Sequence, residues 1–350
     1  MATASSWQMQ NTSRSKISIE EATRLAKGSL RVIGFNDEDA DIVADHIMDT
    51  ELRGHSASGL ARIVELAEHY RRRGEPPRGS AYMTIDRETP SSVHICGNDA
   101  FGYLAGLRSA QLAISKAKAS GGIAVAAVSQ IINTGMLSYY AELCTAQDLV
   151  CLVFASSIPG IAPHGSFSRR FGTNPVCIGF PSSTQPVIWD IATSKITYAQ
   201  LGLAHMLHAP LPPDTAYTAD GEPTQDTAAA FQGGSLAVWG GFKGSGLAIA
   251  VQLLGALAGA PAHPDNPQVS GDYGHMIIAM DPEMFRPLDE FKKEVDSYAE
   301  LVRSSKPLPG FGPTRMPFDR SAETRKKNRE RGFIEVETKI IEILTKQAGL

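Results

Sequence analysis

The sequence predicts an α/β fold: a mixed-sheet lobe at the centre of the chain, and a helical lobe assembled from its N- and C-terminal segments. Three observations carry this expectation. From Met83 onward, short apolar β-type runs alternate with helical stretches, the texture of an α/β sheet. Before Met83 and after about residue 286, the pattern is helical. The glycine fingerprint G-x-G-x-x-G, which opens the usual dinucleotide-binding βαβ unit, is absent.

Taken in order, residues 1–15 are polar and rich in Ser, Thr, Asn and Gln, and read as a flexible tail without the apolar centre of a signal peptide. Ser18 with Glu21 suggests a capping box opening a helix to about Gly34. Asn36 or Asp37 caps a second helix to about Leu52, whose apolar face includes Ile42, Val43 and Ile47. A third runs from about Leu60 to Arg73, stopped by Gly74 and Pro76-Pro77. These make a lobe over residues 16–80.

Strands are expected at Ser92–Ile95, Ile123–Val128, Val150–Ala155, Val176–Gly179 and Val187–Ile191, with helices at Tyr103–Ser120 and Leu137–Ala146 between the first three. A glycine-flanked apolar helix, about Gly244–Gly259, is expected to pack deep in this lobe of residues 81–285. Residues 261–275 read as a Pro/Gly/Asp-rich loop, and Met276–Met280 as a last strand. Helices at Leu288–Ser304, Ser321–Gly332 and Val336–Gln347 then return to the N-terminal lobe as residues 286–350.

Bulk properties narrow the function. The 350 residues are 43% hydrophobic and 20% charged, ordinary for a globular protein with a large core. A net charge of −4 gives no reason to expect nucleic acid. No apolar run is long enough to span a bilayer. Cys96, Cys144, Cys151 and Cys177 show no CxxC or metal-ligand spacing and read as buried reduced thiols. A cytoplasmic protein without a metal site is the expectation. His205 and His208 lie at i, i+3 but lack a third ligand, and the basic run Arg325–Arg331 reads as a solvated helix face.

Three segments carry the chemistry. Gly172-Thr-Asn-Pro175 is a turn whose free N–H groups can meet phosphate oxygens. Asp190 ends the strand Val187–Ile191, at the edge where ligands gather in open α/β sheets, and Ala192, Thr193 and Ser194 follow it. Gly241-Phe242-Lys243-Gly244-Ser-Gly246 sets a lysine where a glycine turn meets a helix, without Walker spacing. Singly, each also reads as a plain turn, a helix cap or a loop lysine. Together they suggest a nicotinamide cofactor.

With these segments, Arg53-Gly54, Gly59-Leu-Ala-Arg62, Pro163-His164-Gly165, Asp220-Gly-Glu-Pro-Thr224 and Arg315-Met-Pro317 resemble the malate/L-lactate dehydrogenase family, whose fold is not of the Rossmann type. The similarity runs from about Ser18 to about Leu344. It implies a homodimer that binds NADH or NADPH and moves a hydride to or from a small 2-oxo, 2-hydroxy or imino acid. It assigns the cofactor cradle to Thr173, Asn174, Pro175, Ala192, Thr193, Ser194, Phe242, Lys243 and Gly244. It assigns the substrate side to Arg62, a carboxylate clamp in the family, and matches His164; His55 is a further candidate for the substrate side.

The chain departs from the family where the proton should come from. The family reads R-G-x-x-S-H-G-x-x-R; here Ala57 stands for the serine and Ser58 for the histidine, while His55 falls at a variable position. A second family histidine has become Asn133, and Phe318-Asp319 replaces Gly-Glu near the adenosine half. Serine and asparagine donate hydrogen bonds but do not titrate near neutrality. Candidate catalytic residues are therefore Ser58, Asn133 and Asp190. Three functions stay open: a C=O or C=N reductase of a specialised pathway, a redox-neutral isomerase or cyclase with a vestigial cofactor site, and an inactive binding partner.

Overall fold

The computed structural model describes residues 12–262 and 273–349. Its elements are β1 (Arg14–Ser18), α1 (Ile19–Ile33), α2 (Asp37–Leu52), α3 (Ala61–Arg73), β2 (Thr84–Thr89), β3 (Ser92–Phe101), α4 (Gly102–Ala119), β4 (Ile123–Ile132), α5 (Leu137–Thr145), β5 (Val150–Ala155), β6 (Ile161–Ala162), β7 (Val176–Phe180) and β8 (Val187–Ile191). They continue as α6 (Tyr198–Met206), β9 (Ala216–Tyr217), β10 (Pro223–Thr224), α7 (Thr227–Phe231), β11 (Ser235–Ala237), α8 (Phe242–Leu257), β12 (Tyr273–Met280), α9 (Leu288–Arg303), α10 (Asp319–Arg331), β13 (Phe333–Glu337) and α11 (Thr338–Gln347).

The central sheet is mixed, in the order β2-β3-β4-β12-β5-β7-β8. β3 and β4 are parallel; the other neighbours run antiparallel. Along β12 successive residues point to opposite faces. His275 meets Tyr140 of α5, whereas Gly274 abuts Gly255 of α8, so α8 covers the face opposite α5. A smaller sheet, β10-β9-β11-β6, flanks this one. In the helical lobe α1 packs on α2, α3 and α11, and α10 lies against α2. α9 instead contacts the turn Pro282–Met284.

Four expectations need correction. Arg14 and Ser15 are not tail: they pair with Glu337 and Val336 in an antiparallel β1–β13 ladder, while residues 1–11 lie outside the described part. Phe333–Glu337 is therefore strand, and α11 begins at Thr338 rather than Val336. The run Phe-Ile-Glu-Val-Glu buries Ile334, Val336 and Glu337, and β-branched residues on a pleated surface favour the ladder over a helix. Of the expected loop 261–275, residues 263–272 are outside the described part and Tyr273–His275 begin β12. At α1 only half a capping box forms: the Glu21 N–H donates to Ser18 Oγ at 3.1 Å, while the Glu21 carboxylate accepts from Arg24.

Two helices also behave differently. α8 buries Ala248, Val251 and Gly255 but leaves Phe242, Ile249, Leu253 and Leu257 exposed, so it is half-covered rather than deep. A helix apolar on all sides gives no clue to which side meets the sheet. α10 is solvated along Glu323, Lys326, Lys327 and Glu330, yet Arg325 turns inward to Asp49 and Glu142. Arg53, with a fully buried side chain, pairs with the same two carboxylates. This cluster ties α2, α5 and α10 together. A buried charge is tolerated only when so compensated, and removing one partner of such a set costs about 3–5 kcal/mol. Cys96, Cys144, Cys151 and Cys177 are all buried free thiols, as expected.

Candidate active site

A cleft of about 1390 Å³ opens between the helical lobe and the sheet. Its walls include His55, Ser58, Arg62 and Glu65 on one side, and Asn133, Thr173, Pro175, Asp190 and Ala192 on the other. Tyr273 and the segment Arg315–Phe318 also line it. The structure thus brings Ser58, Asn133, Asp190, Arg62 and His55 into one cleft, with three residues of the cradle. A second cavity of about 1180 Å³ shares His55, Ser58, Asp190, Ala192, Thr197 and Arg320 with it as lining residues.

Ser58 ends a single 3₁₀ turn, Ser56–Ser58, between α2 and α3. The turn is fixed from beneath by Glu51, whose Oε2 accepts from the Leu60 N–H at 2.8 Å. Gly59 permits that approach, since a Cβ there would lie 2.0 Å from Glu51 Oε2. Burial lifts the Glu51 pKa to about 7, opposed by the Leu60 N–H. His55 is exposed within the cleft yet surrounded by protein. Desolvation, then the Arg320 and Arg53 guanidiniums, holds its pKa below the ordinary imidazole range. Solvent in the cleft weakens that effect without reversing it.

Asn133 starts the turn from β4 into α5 with φ +59°, followed by Gly135 at φ +73°. The turn is pinned three ways. Tyr140 Oη donates to Thr134 O at 2.8 Å, the Met136 N–H donates to His46 Nε2 at 3.0 Å, and the Ser138 N–H donates to Asp190 Oδ2 at 2.7 Å. Gly102 supplies the space, because a Cβ there would fall 1.6 Å from Asn133 O. Asp190, on the strand β8 that packs against α5, therefore caps the first turn of that helix and also faces the cleft. Burial raises its pKa and the Ser138 N–H lowers it.

Sequence reasoning missed His46. It lies fully enclosed between Tyr103 and Tyr139, each ring centroid 4.3 Å away, with its pKa driven to about 3 by burial. Because Nε2 accepts from Met136, the ring is neutral. Its position three residues beyond Val43, on the buried face of α2, was a usable signal. Glu65 was also missed. It forms an ion pair with Arg62 inside the cleft, at the i, i+3 spacing that α3 makes available.

The cradle divides into lining and framework. Thr173, Pro175 and Ala192 face the cleft. Asn174 and Thr193 are fully buried, and their side chains are bonded within the protein. Asn174 bonds the Ser157 N–H, Ala248 O and Gln252; Thr193 Oγ1 donates to Thr173 O at 2.9 Å. They set the shape of the two turns. Ser194 Oγ is buried without a hydrogen-bond partner and lies beside the second cavity.

Phe242, Lys243, Gly244 and His164 do not line the cleft; they gather at the N-terminus of α8. There Gly240 and Gly241 adopt φ +62° and +61°, and Phe242 and Lys243 are exposed. His164 is exposed beside Gly241, and its N–H donates to Ser245 Oγ at 3.3 Å. The Trp239 N–H, 2.8 Å from Thr193 O, links this end to the cradle. The partnerless Ser194 hydroxyl, the N-terminus of α8 and the exposed Lys243 each offer chemistry that fits a dinucleotide phosphate. Among the described residues no group of His, Cys, Asp and Glu could hold a metal ion, and no helix is long and apolar enough to cross a membrane. His205 is held by Thr227 Oγ1 at 3.0 Å and packs edge-on against Phe231.

A mixed sheet in this order, with a cleft at its junction with a helical lobe, is an α/β architecture outside the Rossmann class. Residues 17–345 match the family model described as malate/L-lactate dehydrogenase. The chain belongs to that family, a family of oxidoreductases. It is 33% identical over 333 residues to the L-sulfolactate dehydrogenase of Methanothermobacter thermautotrophicus, covering 93% of this chain and 94% of that one. It is 31% identical over 313 residues to hydroxycarboxylate dehydrogenase B of Escherichia coli, covering 87% and 85%. A solved dehydrogenase from Sinorhizobium meliloti superposes with a TM-score of 0.86 at 27% identity, over 96% of this chain and 99% of that one.

Proposed function

We propose that this protein is a nicotinamide-dependent reductase of a C=O or C=N bond in a small-molecule substrate of a specialised pathway, working without the Ser-His proton donor of its family. The carrying observation is the composition of one cleft. Ser58 and Arg62 face Asn133, Thr173, Pro175, Asp190 and Ala192 across it, and His55 lines the same space with its pKa lowered by its surroundings. Bound NADH or NADPH would supply the hydride. The chain's own residues position the acceptor: Ser58 and Asn133 offer hydrogen bonds to the heteroatom of a C=O acceptor, and Tyr273 with Arg315–Phe318 lines the same site. An iminium suits such a site, because reduction at its carbon needs no proton donor.

The exposed apolar face of α8 supports a homodimer, and the composition supports the cytoplasm. The second reading, a redox-neutral isomerase or cyclase, draws on the same loss of imidazole. A fluorescence titration of the purified protein with NADH and NADPH tests the proposal. Saturable binding of one of them, weakened at least tenfold by Lys243→Ala, is the expected result. Failure of both to bind removes the reductase reading.

A further inference from the structure

Arg62 is the residue that, in the family pattern, grips a substrate carboxylate. Here its guanidinium already has a carboxylate: Nη1 donates to Glu65 Oε2, one helical turn along α3. Both side chains are largely enclosed, 15% and 24% exposed, and both line the cleft. Glu65 has little freedom to withdraw. Gly202 of α6 packs so closely that a Cβ there would lie 2.4 Å from Glu65 Oε1. Arg62 Nε, by contrast, is buried with no acceptor.

The electrostatics follow directly. A free substrate carboxylate entering beside Arg62 must shed water, while the Arg62 charge that would repay it is already neutralised by Glu65. It would also stand beside the Glu65 carboxylate. Stripping an anion of water without net compensation is costly, and like charges in a poorly solvated site add to that cost. A cation meets the reverse situation, and a neutral carbonyl oxygen can accept from the guanidinium without drawing on its net charge.

From this, and resting on the reductase reading above, we infer that Glu65 excludes free carboxylates, so that the substrate is a C=N compound, cationic as its iminium, carrying at most a neutral carbonyl where the family's substrates carry a carboxylate. Hydride from the reduced nicotinamide forms the new C–H bond. The C=N π pair moves onto nitrogen, and the products are a neutral amine and the oxidised nicotinamide. Charge and electrons balance without a proton. Glu65 is here a specificity residue, and Arg62 a neutral-acceptor donor.

Two measurements on the intact protein test this. Calorimetric titration with oxamate, a 2-oxo-acid mimic, reads carboxylate capture without any turnover. The wild type gives no binding at millimolar concentration, and Glu65→Gln, which keeps shape and frees Arg62, binds it. Binding of oxamate to the wild type, or to neither protein, overturns the inference. The second measurement compares reduction of Δ1-piperideine with that of Δ1-piperideine-2-carboxylate. The wild type favours the compound without the carboxylate at least tenfold in kcat/KM, and Glu65→Gln reverses or erases that ratio. An unchanged ratio overturns the inference. If neither compound is reduced and nicotinamide fails to bind, the reductase reading falls, while oxamate still decides the role of Glu65.

Discussion

Installing Ala57→Ser together with Ser58→His raises reduction of an uncharged 2-oxo ester by about 10²-fold or more. A positioned general acid contributes roughly 10²–10⁴-fold to such a step, and the present cleft places Ser58, which does not titrate near neutrality, at that position. An ester is the informative substrate because Arg62 is already paired with Glu65. The same double variant changes reduction of an iminium by less than about tenfold, since that reaction consumes no proton. Steady-state kcat on the two substrates checks both halves. Equal gains on ester and iminium would mean that the new histidine acts by packing rather than as an acid. No gain on the ester would mean that the turn Ser56–Ser58 does not present this residue to the reacting carbon.

Acidification from pH 7 to pH 5 destabilises the fold through two histidines that must stay neutral. His46 and His275 are fully buried and their pKa values fall to about 3. His275 has no hydrogen-bond partner on either ring nitrogen among the described residues. In the unfolded chain both titrate near 6.5, so between about pH 6.5 and pH 3 the unfolded state binds the extra protons and stability falls with pH. At pH 5 each costs about 2 kcal/mol relative to neutral pH. Glu51 acts oppositely, because its raised pKa makes the folded state the stronger proton binder between about pH 4.5 and pH 7, and it masks part of the loss. The histidine contribution is therefore read by difference. His46→Gln retains an acceptor for the Met136 N–H and reduces the loss between pH 7 and pH 5 by about 2 kcal/mol in urea unfolding. An unchanged difference would show that His46 is protonated in the folded state.

What was legible in the sequence follows physical lines. Val150–Ala155 and Val187–Ile191 were readable to the residue because apolar runs bounded by turn residues have few other solutions. Asn36, Gly34 and Gly74 marked helix ends through local capping chemistry. β13 was misread because its partner, β1, lies more than 300 residues away and only that pairing makes Phe333–Glu337 a strand. Non-local pairing leaves no mark in a local window. The cleft shows the same division. Ser58, Arg62, Asn133 and Asp190 were found from motif positions, and all four line it. That Asp190 caps α5, that Asn174 and Thr193 serve as framework, and that Arg62 comes with its own counter-ion depend on tertiary neighbours. Glu65 was within reach, since i, i+3 is a pairing distance on any helix, but its burial beside Gly202 was not.

The reductase reading stands or falls on whether a hydride leaves the nicotinamide and ends on substrate carbon. Single-turnover reaction of the protein with nicotinamide deuterated at C4, in its reduced NADPH and NADH forms, and Δ1-piperideine measures this directly by mass spectrometry of the product. The expected result is one deuterium in the amine, matched one for one by oxidised nicotinamide. Conversion of substrate without deuterium transfer, or at an undiminished rate after all nicotinamide is removed, would contradict it and assign the cleft to redox-neutral chemistry.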